Sequence, residues 1–124
     1  MTARRAGVHR AVLAMAPGAD RRAPGGAVTR ALCGAEDHEP PCPLAPHRTG
    51  VDGPDDTLEV RVLFAAAPGD EVEVRARIEA ALARGEAERP DGAVSRWRLV
   101  EAAADAVRDA EREHAARLAG QPEG

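Results

Sequence analysis

Leu58-Glu59-Val60-Arg61-Val62-Leu63-Phe64-Ala65-Ala66 is the stretch that decides the fold class. Leu58, Val60, Val62 and Phe64 alternate with Glu59 and Arg61, the period of two of a strand with one face on a core. Only Leu63 breaks the polarity. Pro68-Gly69-Asp70 closes the run, and Asp70 is a good helix N-cap with Glu73 placed to complete a capping box. Val74, Ile78 and Ala81/Leu82 then recur at helical spacing. This predicts a helix over 71–84, stopped by Gly85. A strand feeding a helix makes this an α+β chain.

Working outward, Val8–Ala16 reads as a first strand. Val8, Arg10, Val12 and Ala14 share one face; His9, Ala11, Leu13 and Met15 share the other. Ala27–Cys33, short and mostly apolar, reads as a second strand after the Pro24-Gly25-Gly26 turn signal. A turn at Pro90-Asp91-Gly92 precedes Val94–Val100. There Ser95, Trp97 and Leu99 alternate with Arg96 and Arg98, which favours a strand with Trp97 facing inward; a helix from Ser95 is the competing reading. Glu101–Ala119 reads as a C-terminal helix with Ala103, Val107, Ala110, His114 and Leu118 on one stripe, and 120–124 as a frayed tail. The expected fold is one α+β domain over 1–124, with element order β-β-β-α-β-α. The sheet is mostly antiparallel, the fourth strand runs parallel to the third, and two helices lie on one face.

The core must be modest. The 124 residues include 28 Ala, against only 21 Val, Leu, Ile and Phe together. Ala buries far less area than a Leu or Val side chain, whose burial stabilises by roughly 1.5–3 kcal/mol. A metal or a partner subunit would therefore matter to stability, and a homodimer or protein partner is an open expectation.

All 17 basic residues are Arg, but the net charge is −4 and aromatic residues make up 2% of the chain. That balance excludes nucleic acid as the leading partner, since neither a basic surface nor stacking platforms are on offer. No apolar run reaches a membrane span, and the run over 11–16 is too short for a signal segment. A cytoplasmic location follows by default, where nearby cysteines are reduced thiols or metal ligands sooner than a disulfide.

The chemistry concentrates in the Pro/Gly-rich loop of 34–57 and the residue before it. Cys33, His38, Cys42 and His47 form Cys-x4-His-x3-Cys-x4-His, with both cysteines of the chain and two of its four histidines. Thiolate and imidazole are the ligands zinc prefers, and four of them make a closed tetrahedral site. Pro40, Pro41, Pro43 and Pro46 restrict the unfolded loop and lower the entropy lost on closure. Glu36, Asp37 and Glu39 are candidates to orient the imidazoles. The spacing matches no common zinc finger, so inert residues and a reactive thiol stand beside the metal reading. The expectation is a structural zinc-type Cys2His2 site in a binding or regulatory module. A metal-free homodimeric interaction module is the alternative, and a metal- or thiol-dependent enzyme comes third. No Ser/His/Asp arrangement and no phosphate-cradling or dinucleotide glycine motif supports an enzyme.

Overall fold

The computed structural model describes residues 4–33, 45–89 and 91–120. The elements are β1 (Arg5–Met15), α1 (Ala23–Cys33), β2 (His47–Asp52), β3 (Thr57–Ala66), α2 (Glu71–Ala83), β4 (Glu86–Glu88), β5 (Val94–Asp105) and α3 (Arg112–Ala119). The strands form one sheet in the order β2-β3-β1-β5-β4, every neighbouring pair antiparallel. The fold is therefore α+β with an antiparallel sheet, and β1-α1-β2-β3-α2-β5 has the split β-α-β order of ferredoxin-like domains.

Strand alternation divides the apolar residues between two faces. Ala11, Leu13 and Met15 of β1 join Leu58, Val60, Val62 and Phe64 of β3 under α1 and α2, which supply Val28, Leu32, Val74, Ile78 and Leu82. Trp97 of β5 completes this core, and its indole Nε1 donates to the Leu82 carbonyl at 2.8 Å. On the other face Val8, Leu63 and Ala65 form a smaller cluster with Ala115 and Leu118 of α3. β5 keeps both faces satisfied through a bulge. Leu13 pairs with Leu99 but Val12 with Glu101, so Val100 is the extra residue and Leu99 and Ala102 both turn to the main core.

The elements depart from the sequence expectation in four places besides the short strand β4, Glu86–Glu88, which the sequence did not announce. Ala27–Cys33 is helical, the end of α1. Val28 and Leu32 are one turn apart, and a seven-residue apolar run carries no period that excludes a helix. Gly25-Gly26 therefore lies in the first turn of a helix, not before a strand. Second, the expected loop of 34–57 contains β2, paired with β3 from His47↔Phe64 to Asp52↔Glu59. Third, β5 continues through Glu101–Asp105, because β1 offers backbone partners up to Val8; pairing overrides the helical propensity of Ala102-Ala103-Ala104. The C-terminal helix spans only Arg112–Ala119 and lies on the opposite face from α1 and α2. Fourth, β5 runs in the direction of β3, but β1 is inserted between them.

Val94–Val100 is strand, as the alternation favoured, and α2 begins and ends within a residue of expectation. Asp70 occupies the N-cap of α2 without a side-chain capping bond, because a 3-10 turn over Pro68–Asp70 precedes the helix. Gly85 has φ +75°, and a Cβ there would stand 2.7 Å from the Trp97 carbonyl oxygen. No helix among the described residues is long and apolar enough to cross a membrane.

Candidate metal centre at the α1–β2 junction

α1 ends at Cys33, which is buried against Val28 and Leu32 of the same helix. β2 begins at His47 beside the buried Ala45. Thr29 stands one helical turn before Cys33, so both side chains occupy the α1 face that meets β2. The His47 ring lies between them. Its Nε2 is 3.0 Å from Thr29 Oγ1, and its Nδ1 is 3.2 Å from the Ala45 carbonyl oxygen and 3.8 Å from Cys33 Sγ. A carbonyl can only accept, so Nδ1–H faces Ala45 and Nε2 accepts from the Thr29 hydroxyl. Contacts at both ring nitrogens fix the orientation of the His47 ring beside Cys33 Sγ.

Of the four expected ligands, Cys33 and His47 are thus brought together. His38 and Cys42 lie outside the described residues. Cys33 is disulfide-bonded, and a sulfur in a disulfide has no thiolate to offer a metal. Among the described residues no group of three or more His, Cys, Asp or Glu side chains is placed to hold an ion.

Two polar clusters lie away from this junction. His9 is buried on the main-core face, its Nδ1 3.2 Å from Arg75 Nη1. Its Nε2 is 3.1 Å from Glu79 Oε1 without forming a hydrogen bond. Arg75 also donates to the Val8 carbonyl and stacks 5.0 Å over the Phe64 ring, so this cluster pins α2 to β1. His9 is therefore a packed residue of the helix-covered face.

On the α3 face Arg61, buried in β3, donates to both carboxylate oxygens of Glu111, to Asp105 and to the Ala106 carbonyl. These bonds raise the pKa of Arg61 and hold the Glu111 and Asp105 carboxyls below the usual range. Next to this network a cavity of about 300 Å³ opens between α3 and the β2–β3 ribbon. His114 stands at its rim, with Arg48 and Arg117 guanidinium nitrogens 3.4 and 3.0 Å from its Nδ1. Burial, and then those two cations, push the His114 pKa down. The sequence carried a signal for this site. In His47-Arg48-Thr49-Gly50-Val51-Asp52, Arg48 and Asp52 alternate with the β-branched Thr49 and Val51, a short period-two pattern of a strand.

No protein-family profile, curated protein or solved structure matches the chain.

Proposed function

We propose that the chain is a small binding or regulatory module that holds a structural zinc-type ion through Cys33, His38, Cys42 and His47 once its cysteines are reduced. The observation that supports this is the 3.8 Å separation of Cys33 Sγ from His47 Nδ1. Ligands at Zn–S of about 2.3 Å and Zn–N of about 2.0–2.1 Å in a tetrahedron stand about 3.6 Å apart, so an ion between the pair needs an adjustment of only a few tenths of an ångström. Coordination through Nδ1 exchanges its Ala45 contact for the metal and moves the ring proton to Nε2, which then donates to the Thr29 hydroxyl oxygen and orients the ring. Four protein ligands leave no position for a reacting water, which makes the ion a staple. It would tie the end of α1 to the first residue of β2, across the chain segment that separates them. The reading implies a reducing compartment, the cytoplasm, where thiols are kept free for metals.

The test is native mass spectrometry of the reduced, untagged protein with zinc, beside Cys33→Ser/Cys42→Ser. One zinc in the parent, absent from the variant and accompanied by a higher melting temperature, is the expected result. A reduced parent that takes up no zinc and melts like the variant refutes the proposal.

The disulfide at Cys33 favours a second reading, a metal-free interaction module in which that sulfur is held covalently at the end of α1. Such a module would pair with a protein partner or a second copy through the sheet edge or the C-terminal helix. Thiol titration under native, non-reducing conditions separates the two: no reactive thiol and no metal in the protein as isolated supports this second reading.

A further inference from the structure

Arg48, Gly50 and Asp52 occupy alternate positions of β2 and face α3, opposite Leu63, Arg61 and Glu59 of β3. All six line the 300 Å³ cavity, at the lower end of the size of small-ligand pockets. Its charges are arranged unevenly. Arg61 is saturated by Glu111 and Asp105, and Glu59 is held by Arg10 and Arg108. Among the described residues, Arg48 and Asp52 have no oppositely charged partner. Arg48 Nη1 approaches only the neutral His114 ring, and Asp52 Oδ1 accepts only from the Gly53 N–H.

The cavity therefore has a cationic end at Arg48 and an anionic end at Asp52, which also stands directly opposite Glu59 across the ladder. Between them Gly50 contributes no side chain, and a Cβ built there meets nothing within 4 Å. Glycine is disfavoured within strands, where it packs nothing and costs entropy. Here it leaves the floor of the cavity open midway between the two charges.

We propose that this cavity binds a small dipolar ligand, its carboxylate on Arg48 and its ammonium on Asp52. The inference is independent of the metal reading, since it uses the other face of β2. Four residues of strand separate the two Cα atoms by about 13 Å, and the flexible Arg48 and Asp52 side chains can take up the difference from a shorter ligand. An extended tripeptide is at most about 10 Å long, which makes a free tripeptide or an ω-amino acid of similar charge separation the class of ligand that fits. Each ligand charge meets a protein charge that has no ion-pair partner among the described residues, so both termini are needed for affinity.

The experiment is a titration of the full chain with trialanine and with ε-aminocaproate, followed by amide shifts of 48–52 and 110–114. N-acetyl-trialanine and trialanine amide are titrated beside them. Both zwitterions are expected to shift these amides, or trialanine alone if the peptide groups are also read. Blocking either terminus is expected to weaken binding at least tenfold. Arg48→Gln, Asp52→Asn and Gly50→Leu should each do the same; the first two replace exposed side chains and the third fills the cavity without touching a charge. Melting curves establish that the variants remain folded. Failure of both zwitterions at millimolar concentration overturns the proposal, as does binding that survives either block or the Gly50→Leu substitution.

Discussion

Replacing Arg61 by Met tests what attaches α3 to the sheet. The Arg61 side chain is only 9% exposed and joins β3 to the end of β5 and to the turn that starts α3. Nε and Nη2 reach the two Glu111 oxygens at 3.1 and 2.8 Å, a paired contact of the strong kind. Met fills similar space but leaves Glu111, with its side chain 21% exposed, only the Arg108 N–H at 2.8 Å. Breaking a fully buried ion pair costs about 3–5 kcal/mol; partial solvation of Glu111 reduces this to about 2–3 kcal/mol. The exposed Asp105 adds nothing to that figure. For a chain of this length the loss lowers the melting temperature by about 10 °C.

The loss must also depend on pH in one direction. Hydrogen bonds from Arg61 are the largest cause holding the folded Glu111 pKa below its unfolded value. A lowered carboxyl contributes stability that is complete above the unfolded pKa and is lost as pH falls through the folded one. In Arg61→Met this contribution is gone, so the gap between parent and variant is widest at neutral pH and narrows below about pH 4. Urea unfolding from about pH 7 to about pH 3, followed by circular dichroism, measures it. A gap below about 0.5 kcal/mol at neutral pH, or one constant across the range, refutes the assignment.

Gly85→Ala and Gly92→Ala separate backbone strain from collision. Both glycines have positive φ, but only a Cβ at Gly85 meets a backbone atom, the Trp97 oxygen at 2.7 Å, while Gly92 faces open space. Gly92→Ala should cost about 1 kcal/mol and Gly85→Ala at least about 1 kcal/mol more in urea unfolding; equal losses would remove the collision from the account. Trp97→Phe leaves the Leu82 carbonyl without its indole donor and shrinks a buried ring. It should destabilise by about 2 kcal/mol in the same assay, and a loss no larger than that of an exposed substitution would show that the bond is not needed.

The parts of the fold legible in the sequence are those where two signals agree. In β3 the alternation of Leu58 to Phe64 coincides with a Pro-Gly terminator. In α2 the Val74-Ile78-Leu82 spacing coincides with a glycine stop. The missed elements lack that agreement. α1 carries Pro24-Gly25-Gly26 in its own first turn, which reads as a break, and its buried stripe of Pro24, Val28 and Leu32 before Cys33 begins on that same proline. The strand over Glu101–Asp105 is Ala-rich and becomes a strand because β1 is long enough to pair with it. That is non-local information. Of the candidate site, the nearness of Cys33 to His47 was legible as spacing alone. Thr29 was not, since it reaches His47 only once 27–33 is a helix.

β2 shows how much one overlooked strand changes the functional reading. As part of a loop, residues 47–52 contribute one metal ligand. As a strand they line two candidate sites, because successive side chains leave opposite faces. His47, Thr49 and Val51 stand opposite Phe64, Val62 and Val60 on the helix-covered face; Arg48, Gly50 and Asp52 stand opposite Leu63, Arg61 and Glu59 on the α3 face. A one-residue slip of β2 against β3 would turn His47 away from Cys33 and Arg48 away from the cavity together. The apolar pairing of Val51 with Val60 opposes that slip. The contacts that hold His47 at the start of β2, with the Thr29 hydroxyl and the Ala45 carbonyl, therefore favour the same register that places Arg48 and Asp52 at the two ends of the cavity.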